Sequence, residues 1–308
     1  MKLYDTLVLG AGPCGIRSAI ILKEAGLDVA IIEGYTPGGK INIAPRVDNY
    51  PGFTKIPGPD LAVEFFNWLN KAEVEMIPDI ITSLTKENNI FTVACENGTY
   101  QAKTVIIATG TKERELGLPN EKELFGKGVS YCAVCDGHFF KNQDVLIIGG
   151  GNTALKEAIY MADLAHHVYL IHRRNEFRGN KYLVDELNAL SNATILTPYV
   201  PVSILGDDKV TGAVIENRET GEQKTLDVQG VFPLVGQIPN SQFIKIDGVT
   251  NEWGNIPVDP KTKQTSVEGL YAGGDILPRD IRQIYLSEVD GKMACKAILE
   301  YLKNKNAQ

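Results

Sequence analysis

Two cysteines lie two residues apart in Cys132-Ala133-Val134-Cys135-Asp136-Gly137, the second of them fourteen positions upstream of a glycine-rich loop, Gly149-Gly150-Gly151-Asn152-Thr153-Ala154. A thiolate, not a thiol, attacks a disulfide or an electron carrier, and a close partner both resolves the mixed disulfide and depresses one thiol's pKa. A dithiol beside a nucleotide loop therefore points to disulfide chemistry driven by a bound electron carrier. Asp136 directly follows the pair, where it either moves a proton to or from a departing thiolate or serves as a turn residue before Gly137. Both readings stay open. A structural zinc site would need four ligands, and there is no second CxxC or HxxxH; His166 and His167 are adjacent and lack the usual spacing.

The glycine loop occurs twice, each time inside a strand–loop–helix–strand unit. The apolar strand Leu7-Val8-Leu9 runs into Gly10-Ala11-Gly12-Pro13-Cys14-Gly15, then a helical stretch from Ile16 to Ala25, then Val29-Ala30-Ile31-Ile32 ending in Glu33. Glycines in this register permit a tight turn, close backbone approach to a pyrophosphate and close helix–strand packing, and a terminal acid accepts hydrogen bonds from a ribose hydroxyl pair. The second unit runs from Val145-Leu146-Ile147-Ile148 through Gly149, Gly151, Asn152 and Thr153 into a helix reaching about Ala165, then into Val168-Tyr169-Leu170-Ile171. The residue 23 positions after the first glycine is Glu33 in one unit and His172 in the other. His172 opens the run His172-Arg173-Arg174-Asn175-Glu176-Phe177-Arg178, whose cations suit a 2′-phosphate that an acid would repel. The first site thus reads as one for a cofactor without a 2′-phosphate, such as FAD, and the second as NADP(H). The alternative for the arginines is a solvated basic loop.

Five cysteines are present; Cys14 fills a small-residue slot of the first loop, and Cys95 and Cys295 fall in strand-like and helical stretches where packing explains them. With no signal peptide expected ahead of the first strand, a cytoplasmic, reducing location is expected, in which CxxC means metal or redox work. The net charge is −7 and the one basic run is at 172–178, so neither nucleic acid nor an anionic membrane surface is an expected partner. No apolar run approaches the length that spans a bilayer.

At 308 residues, 44% of them apolar, the chain can bury two cores, and two dinucleotide units demand two sheets. The first sheet lacks a closing element before the second unit begins, and Gly269-Leu270-Tyr271-Ala272-Gly273-Gly274-Asp275, followed by a helical pattern from Arg282 to Leu302, supplies one. The expected fold is α/β, with two Rossmann-like dinucleotide-binding domains, the second (113–244) inserted into the first (1–112 and 245–308). Connections are expected near Lys112 to Leu118 and near Gln242 to Lys245, and only Asn304 to Gln308 read as disordered.

Together these motifs make the chain resemble the low-molecular-weight, bacterial-type thioredoxin reductases. The resemblance runs nearly end to end: it adds Gly38-Gly39 with Asn49-Tyr50-Pro51-Gly52, Ile107-Ala108-Thr109-Gly110, Gly236-x-x-Pro239-Asn240, Gly273-Gly274-Asp275 and Arg282-Gln283. It implies FAD on the first unit, with Asp275 on the ribityl chain, Asn49 and Gln283 near the isoalloxazine, and Gly39, Lys40, Ala108, Thr109, Gly110, Gly274 and Arg282 completing the site. It implies NADPH on the second unit, Cys135 facing the flavin, Cys132 attacking thioredoxin, Asp136 as the acid, rotation of the domains in each turnover, and a homodimer. Three positions depart from the family's pattern. Lys40 stands where Gln is usual, Gly273 replaces a common Ala, and Ile284-Tyr285-Leu286 replaces small or hydroxylated residues.

Other readings compete. A ferredoxin or flavodoxin reductase on the same scaffold needs no dithiol, and a peroxiredoxin-reducing flavoprotein usually carries an additional thioredoxin-like region. A flavoprotein redox sensor that reads the NADP(H) pool would bind the same cofactors without turning over a protein disulfide.

Overall fold

The computed structural model describes residues 2–44, 46–279 and 281–306. The chain forms two compact units, Met1–Lys112 with Ile238–Gln308, and Glu113–Gln237.

The first unit begins with β1 (Leu3–Leu9), α1 (Pro13–Glu24), β2 (Val29–Ile32), α2 (Gly58–Lys71) and β3 (Glu75–Ile77), and continues through β4 (Ile81–Glu87), β5 (Ile90–Cys95) and β6 (Thr99–Ile107) to β7 (Thr111–Glu113). Its sheet has the order β3-β2-β1-β6-β5-β4. Strand β6 is long enough to carry two neighbours on one edge: Ala102 and the residues before it pair antiparallel with β5, and Val105–Ile107 pair parallel with β16 (Leu270–Ala272). Alternation then sorts each strand's side chains to opposite faces. Val8, Ile31, Ile106 and Tyr271 pack against α1, α2 and the last helix, whereas Leu7, Leu9, Ile32, Val105 and Ile107 pack with Phe91, Val93 and Ile256.

In the second unit the order is α3 (Ala133–Asp136), β8 (Asp144–Ile148), α4 (Asn152–Ala162), β9 (His167–Ile171), α5 (Lys181–Asn188) and β10 (Ala193–Leu196), then β11 (Tyr199–Leu205), β12 (Gly212–Asn217), β13 (Gln223–Leu226), β14 (Gly230–Pro233) and β15 (Gln237–Pro239). A parallel sheet β10-β9-β8-β14 carries α4 and α5 on one face through Val145, Ile147, Val168 and Leu170. Its other face, with Leu146, Ile148 and Ile171, packs on the antiparallel β11-β12-β13 sheet.

The return crossing falls between Gln237 and Ile238, seven residues before the boundary expected from sequence at 244/245. Hydrogen bonds explain the difference: Asn240 N–H donates to the Gly110 carbonyl, Asn240 Nδ2 to the Thr109 carbonyl, and Leu84 exchanges backbone bonds with Phe243 and Lys245. Residues 240–245 are thereby held to β4 and to the end of β6. The connecting strands β7 and β15 pair with each other. The final helix, α6 (Ile284–Asn306), includes Asn304, Lys305 and Asn306, which were expected beyond the last element; Ala307 and Gln308 lie outside the described residues.

Candidate active site

Cys132 and Cys135 form a disulfide across the single turn of α3, with Cys132 as its N-cap. Cys135 N–H donates to Cys132 Sγ at 3.2 Å. A donor at that sulfur favours its thiolate once the bond is reduced. Cys135 is exposed and Cys132 half-buried. Exposure alone would favour Cys135 as the attacking sulfur, and the N–H donor favours Cys132. Asp136 ends α3, where its Oδ2 accepts from Ser130 Oγ at 2.6 Å, and Ser130 Oγ accepts from Cys132 N at 3.1 Å. A chain of two hydrogen bonds thus joins Asp136 to the backbone of the first cysteine.

Two carboxylates that the sequence did not single out hold this segment from either side. Glu121, 1% exposed, accepts the N–H groups of Gly117 (2.7 Å) and Leu116 (2.9 Å) and the Tyr131 hydroxyl (2.9 Å), which fixes the residue just before the dithiol. Glu157 on α4 accepts Ala133 N–H at 2.5 Å. Burial pushes the Glu157 carboxyl up to about 7, although the Ala133 and Val134 N–H groups act against the rise. The remaining cysteines are unreactive by environment: burial raises Cys14, Cys95 to about 11 and Cys295 to about 12.

The first glycine loop stands at the carboxyl ends of β1 and β6, the usual ligand position of an open parallel sheet. Gly10 takes φ +99°, and a Cβ there would lie 2.6 Å from the Ala108 carbonyl oxygen; a Cβ on Gly15 would lie 1.9 Å from that of Gly10. Gly12 faces open space, and α1 starts at Gly12 with Pro13 in its first turn and no side-chain cap. Its first-turn N–H groups are thereby presented to an anion. Glu33 Oε2 accepts from Ala11 N at 2.7 Å, which ties the acid to this loop. Around it the structure joins residues distant in sequence. Lys40 Nζ donates to Thr111 Oγ1 at 2.9 Å and lies 3.6 Å from Asp275 Oδ2, Arg282 Nε donates to the Asp275 carbonyl at 3.5 Å, and Asn49 Nδ2 donates to Gln283 Oε1 at 2.9 Å. Gly39 lies against Gly12, Thr109 Oγ1 donates to the Asn240 carbonyl at 2.7 Å, and Gly110 has φ +64°.

The second loop repeats the design, with Gly151 facing open space as the uncapped start of α4. Asn152 Oδ1 accepts from Asn180 N at 2.8 Å, and the basic segment folds back on the loop, since Arg178 N and Gly179 N both donate to the Gly150 carbonyl. Thr153 follows in the first turn of α4. Arg173, Arg174 and Arg178 are exposed. His172 is not: it is 7% exposed, a Cβ on Gly150 would lie 2.3 Å from its ring, and it stacks on Phe177 at 5.1 Å. Burial depresses its pKa, with the charges of Arg173, Arg174 and Arg178 adding to that against a backbone bond with Glu176, and the ring packs under Gly150 apart from the exposed arginines. A further arginine comes from another element: Arg218 Nη1 donates to the Arg173 carbonyl at 3.2 Å.

The pyridine nucleotide-disulphide oxidoreductase family matches residues 4–291. The chain belongs to that family. Its members imply flavin and nicotinamide cofactors, which the two uncapped glycine loops fit. A thioredoxin reductase of Mycoplasma pneumoniae is 38% identical, with 97% of this chain and 96% of the relative covered. Among solved structures, a thioredoxin reductase from Streptococcus pyogenes superposes with TM-score 0.91 at 40% identity, covering 98% of this chain and 99% of that one. One from Giardia duodenalis gives 0.93 at 30% identity, covering 98% and 100%.

Within this oxidoreductase scaffold, the departure at Gly273 has a packing cause. A Cβ there would meet Cys14 Sγ at 2.6 Å and Asp290 Cβ at 2.9 Å. Asp290 is 3% exposed and accepts from Gly274 N at 3.0 Å, with Lys263 at 3.1 Å and Arg279 as its ion-pair partners. Cys14, Gly273 and Asp290 are therefore one interlocking set. No group of three or more His, Cys, Asp or Glu suited to a metal occurs among the described residues, and none of the described helices is long and apolar enough to cross a membrane.

Proposed function

We propose that this oxidoreductase is a thioredoxin-disulfide reductase that passes electrons from NADPH through FAD and the Cys132/Cys135 pair to oxidised thioredoxin. The carrying observation is the disulfide on α3, in the same unit as a glycine loop flanked by exposed arginines. In this reading residues 1–112 and the C-terminal segment hold FAD, and the inserted unit holds NADP(H). Gly10, Gly12, Pro13, Cys14, Gly15 and Glu33 bind the adenosine and pyrophosphate half of FAD; Gly39, Lys40, Asn49, Ala108, Thr109, Gly110, Gly274, Asp275, Arg282 and Gln283 surround the rest. Gly149, Gly151, Asn152 and Thr153 cradle the pyrophosphate of NADPH, and Arg173, Arg174 and Arg178 take its 2′-phosphate.

FAD held by the first loop would supply the two-electron chemistry that links a nicotinamide hydride to the disulfide. Cys132, whose thiolate is favoured by the Cys135 N–H, attacks a thioredoxin sulfur; Cys135 then displaces reduced thioredoxin and restores the disulfide, while Asp136 supplies a proton to the leaving thiolate. Per turnover, NADPH and one proton reduce one disulfide to two thiols. In this reading the dithiol and the nicotinamide loop share one unit, the flavin belongs to the other, and the two compete for one face of the flavin, so that the cycle includes the domain rotation that the resemblance implies. A homodimer in the cytoplasm completes the proposal.

Catalytic amounts of the protein should consume NADPH when oxidised thioredoxin is added, and not with ferredoxin or flavodoxin. Rapid turnover of ferredoxin or flavodoxin, with thioredoxin untouched, would move the assignment to the reductases that need no dithiol. The released flavin should run as FAD on chromatography; FMN would refute the first site.

In this reading Lys40, 3.6 Å from Asp275 Oδ2, contributes a cation to the flavin's surroundings. Lys40→Gln should lower the two-electron flavin potential by on the order of 30 mV, equivalent to about 1.4 kcal/mol, because a cation favours the anionic reduced ring. An unchanged potential in a dye-equilibrated titration would remove Lys40 from the flavin's surroundings.

A further inference from the structure

The backbone donors of the dithiol turn are divided between a carboxylate and a sulfur. Ala133 N–H goes to Glu157 Oε2 at 2.5 Å, the Val134 N–H also favours the ionised Glu157, and the third donor, Cys135 N–H, goes to Cys132 Sγ at 3.2 Å. Ala133 and Val134 are the two residues between the cysteines, so α4 grips the redox turn at its centre through one side chain. We infer that Glu157 is a positioning residue that sets the ionisation of the Cys132 thiol in the reduced enzyme, acting through the division of these donors. Its hydrogen bond goes to the backbone of the turn that carries the nucleophile.

Two effects work in the same direction. Donors committed to a carboxylate are withheld from a thiolate forming beside them, and the charge of a carboxylate bonded to the turn opposes a second negative charge on that turn. Glu157 itself is poised to change state near neutrality, since burial raises it to about 7 and the Glu113 carboxylate adds to the rise. Glu113 is the charged group that bears on it, Lys156 precedes it on α4, and Asp136, which ends α3, is held by Ser130. The sign follows. Below about pH 7 a protonated Glu157 leaves Cys132 easier to ionise; above it the carboxylate holds the thiol pKa up. Reduced enzyme is thus buffered against becoming steadily more nucleophilic as pH rises.

This inference rests on the dithiol being the redox group, and its test measures thiol ionisation without thioredoxin, so the two ideas fail separately. The FAD-loaded protein is reduced with dithiothreitol, desalted anaerobically and pulsed with iodoacetamide between pH 5 and 9, with Cys132 modification quantified by peptide mass spectrometry. Wild type should show a profile broader than a single proton step, its lower part falling near pH 7. Glu157→Gln, which keeps a neutral oxygen for Ala133 N–H, should show a single proton step, its midpoint lower by about one pH unit. Superimposable profiles for the two proteins would reduce Glu157 to a brace. Should the variant not fold, the wild-type profile decides alone: a profile that fits one uncoupled proton step overturns the inference.

Discussion

Serine at either Cys132 or Cys135 is expected to lower thioredoxin reduction by at least about a thousandfold while leaving the flavin reducible by NADPH, because two groups acting as a unit lose nearly everything when either goes. No other thiol can substitute: Cys14 and Cys295 are buried, and burial holds Cys95 at about 11 and Cys295 at about 12. The two variants should differ in capture. Thioredoxin whose attacked cysteine carries thionitrobenzoate should form a stable mixed disulfide with Cys135→Ser, through the remaining Cys132, and far less with Cys132→Ser. The opposite pattern would mean that the exposed Cys135 attacks and that the N–H donor at Cys132 Sγ does not decide the order. Near-normal turnover by either variant would end the dithiol mechanism.

Arg173→Ala with Arg174→Ala should weaken NADPH use by about a hundredfold or more in kcat/KM and leave NADH use nearly unchanged. Each charge-assisted hydrogen bond to a phosphate is worth roughly 1.5–3 kcal/mol, and about 1.4 kcal/mol is tenfold. The glycine loop and its pyrophosphate contacts are common to both nucleotides, so the loss is confined to the 2′-phosphate. Two features of the fold bear on the size of the effect. Backbone bonds from Arg178 and Gly179 to the Gly150 carbonyl hold the basic segment against the loop, and Arg218 reaches the Arg173 carbonyl from the β12–β13 hairpin. Equal use of NADH and NADPH by the wild type, or an unchanged preference in the double variant, would make the arginines a solvated loop.

Both βαβ units were legible because their signals are local: apolar strands, glycines at fixed offsets and a terminal residue 23 positions on. Side-chain direction was not. Counting placed His172 where a ligand-facing residue belongs, but the missing Cβ at Gly150 opens a slot that the imidazole fills, while the arginines after it are exposed. Glu157 carries no sequence signal of its role: its partner is the backbone of Ala133, 24 residues earlier, and no periodicity reports that. Glu121 was hidden for the same reason, since its acceptors are spent on main-chain N–H groups of a loop. The return boundary was misplaced because Asn240, a loop residue by composition, bonds back to Thr109 and Gly110.

The central claim is that electrons run from NADPH through the flavin and Cys132–Cys135 to a protein disulfide. Purified protein mixed anaerobically with NADPH, then with oxidised thioredoxin, tests it in one cuvette. The flavin absorbance should bleach on the first addition and return on the second, with two thiols appearing on thioredoxin per NADPH consumed. A bleached flavin that stays bleached when thioredoxin is added would contradict the account.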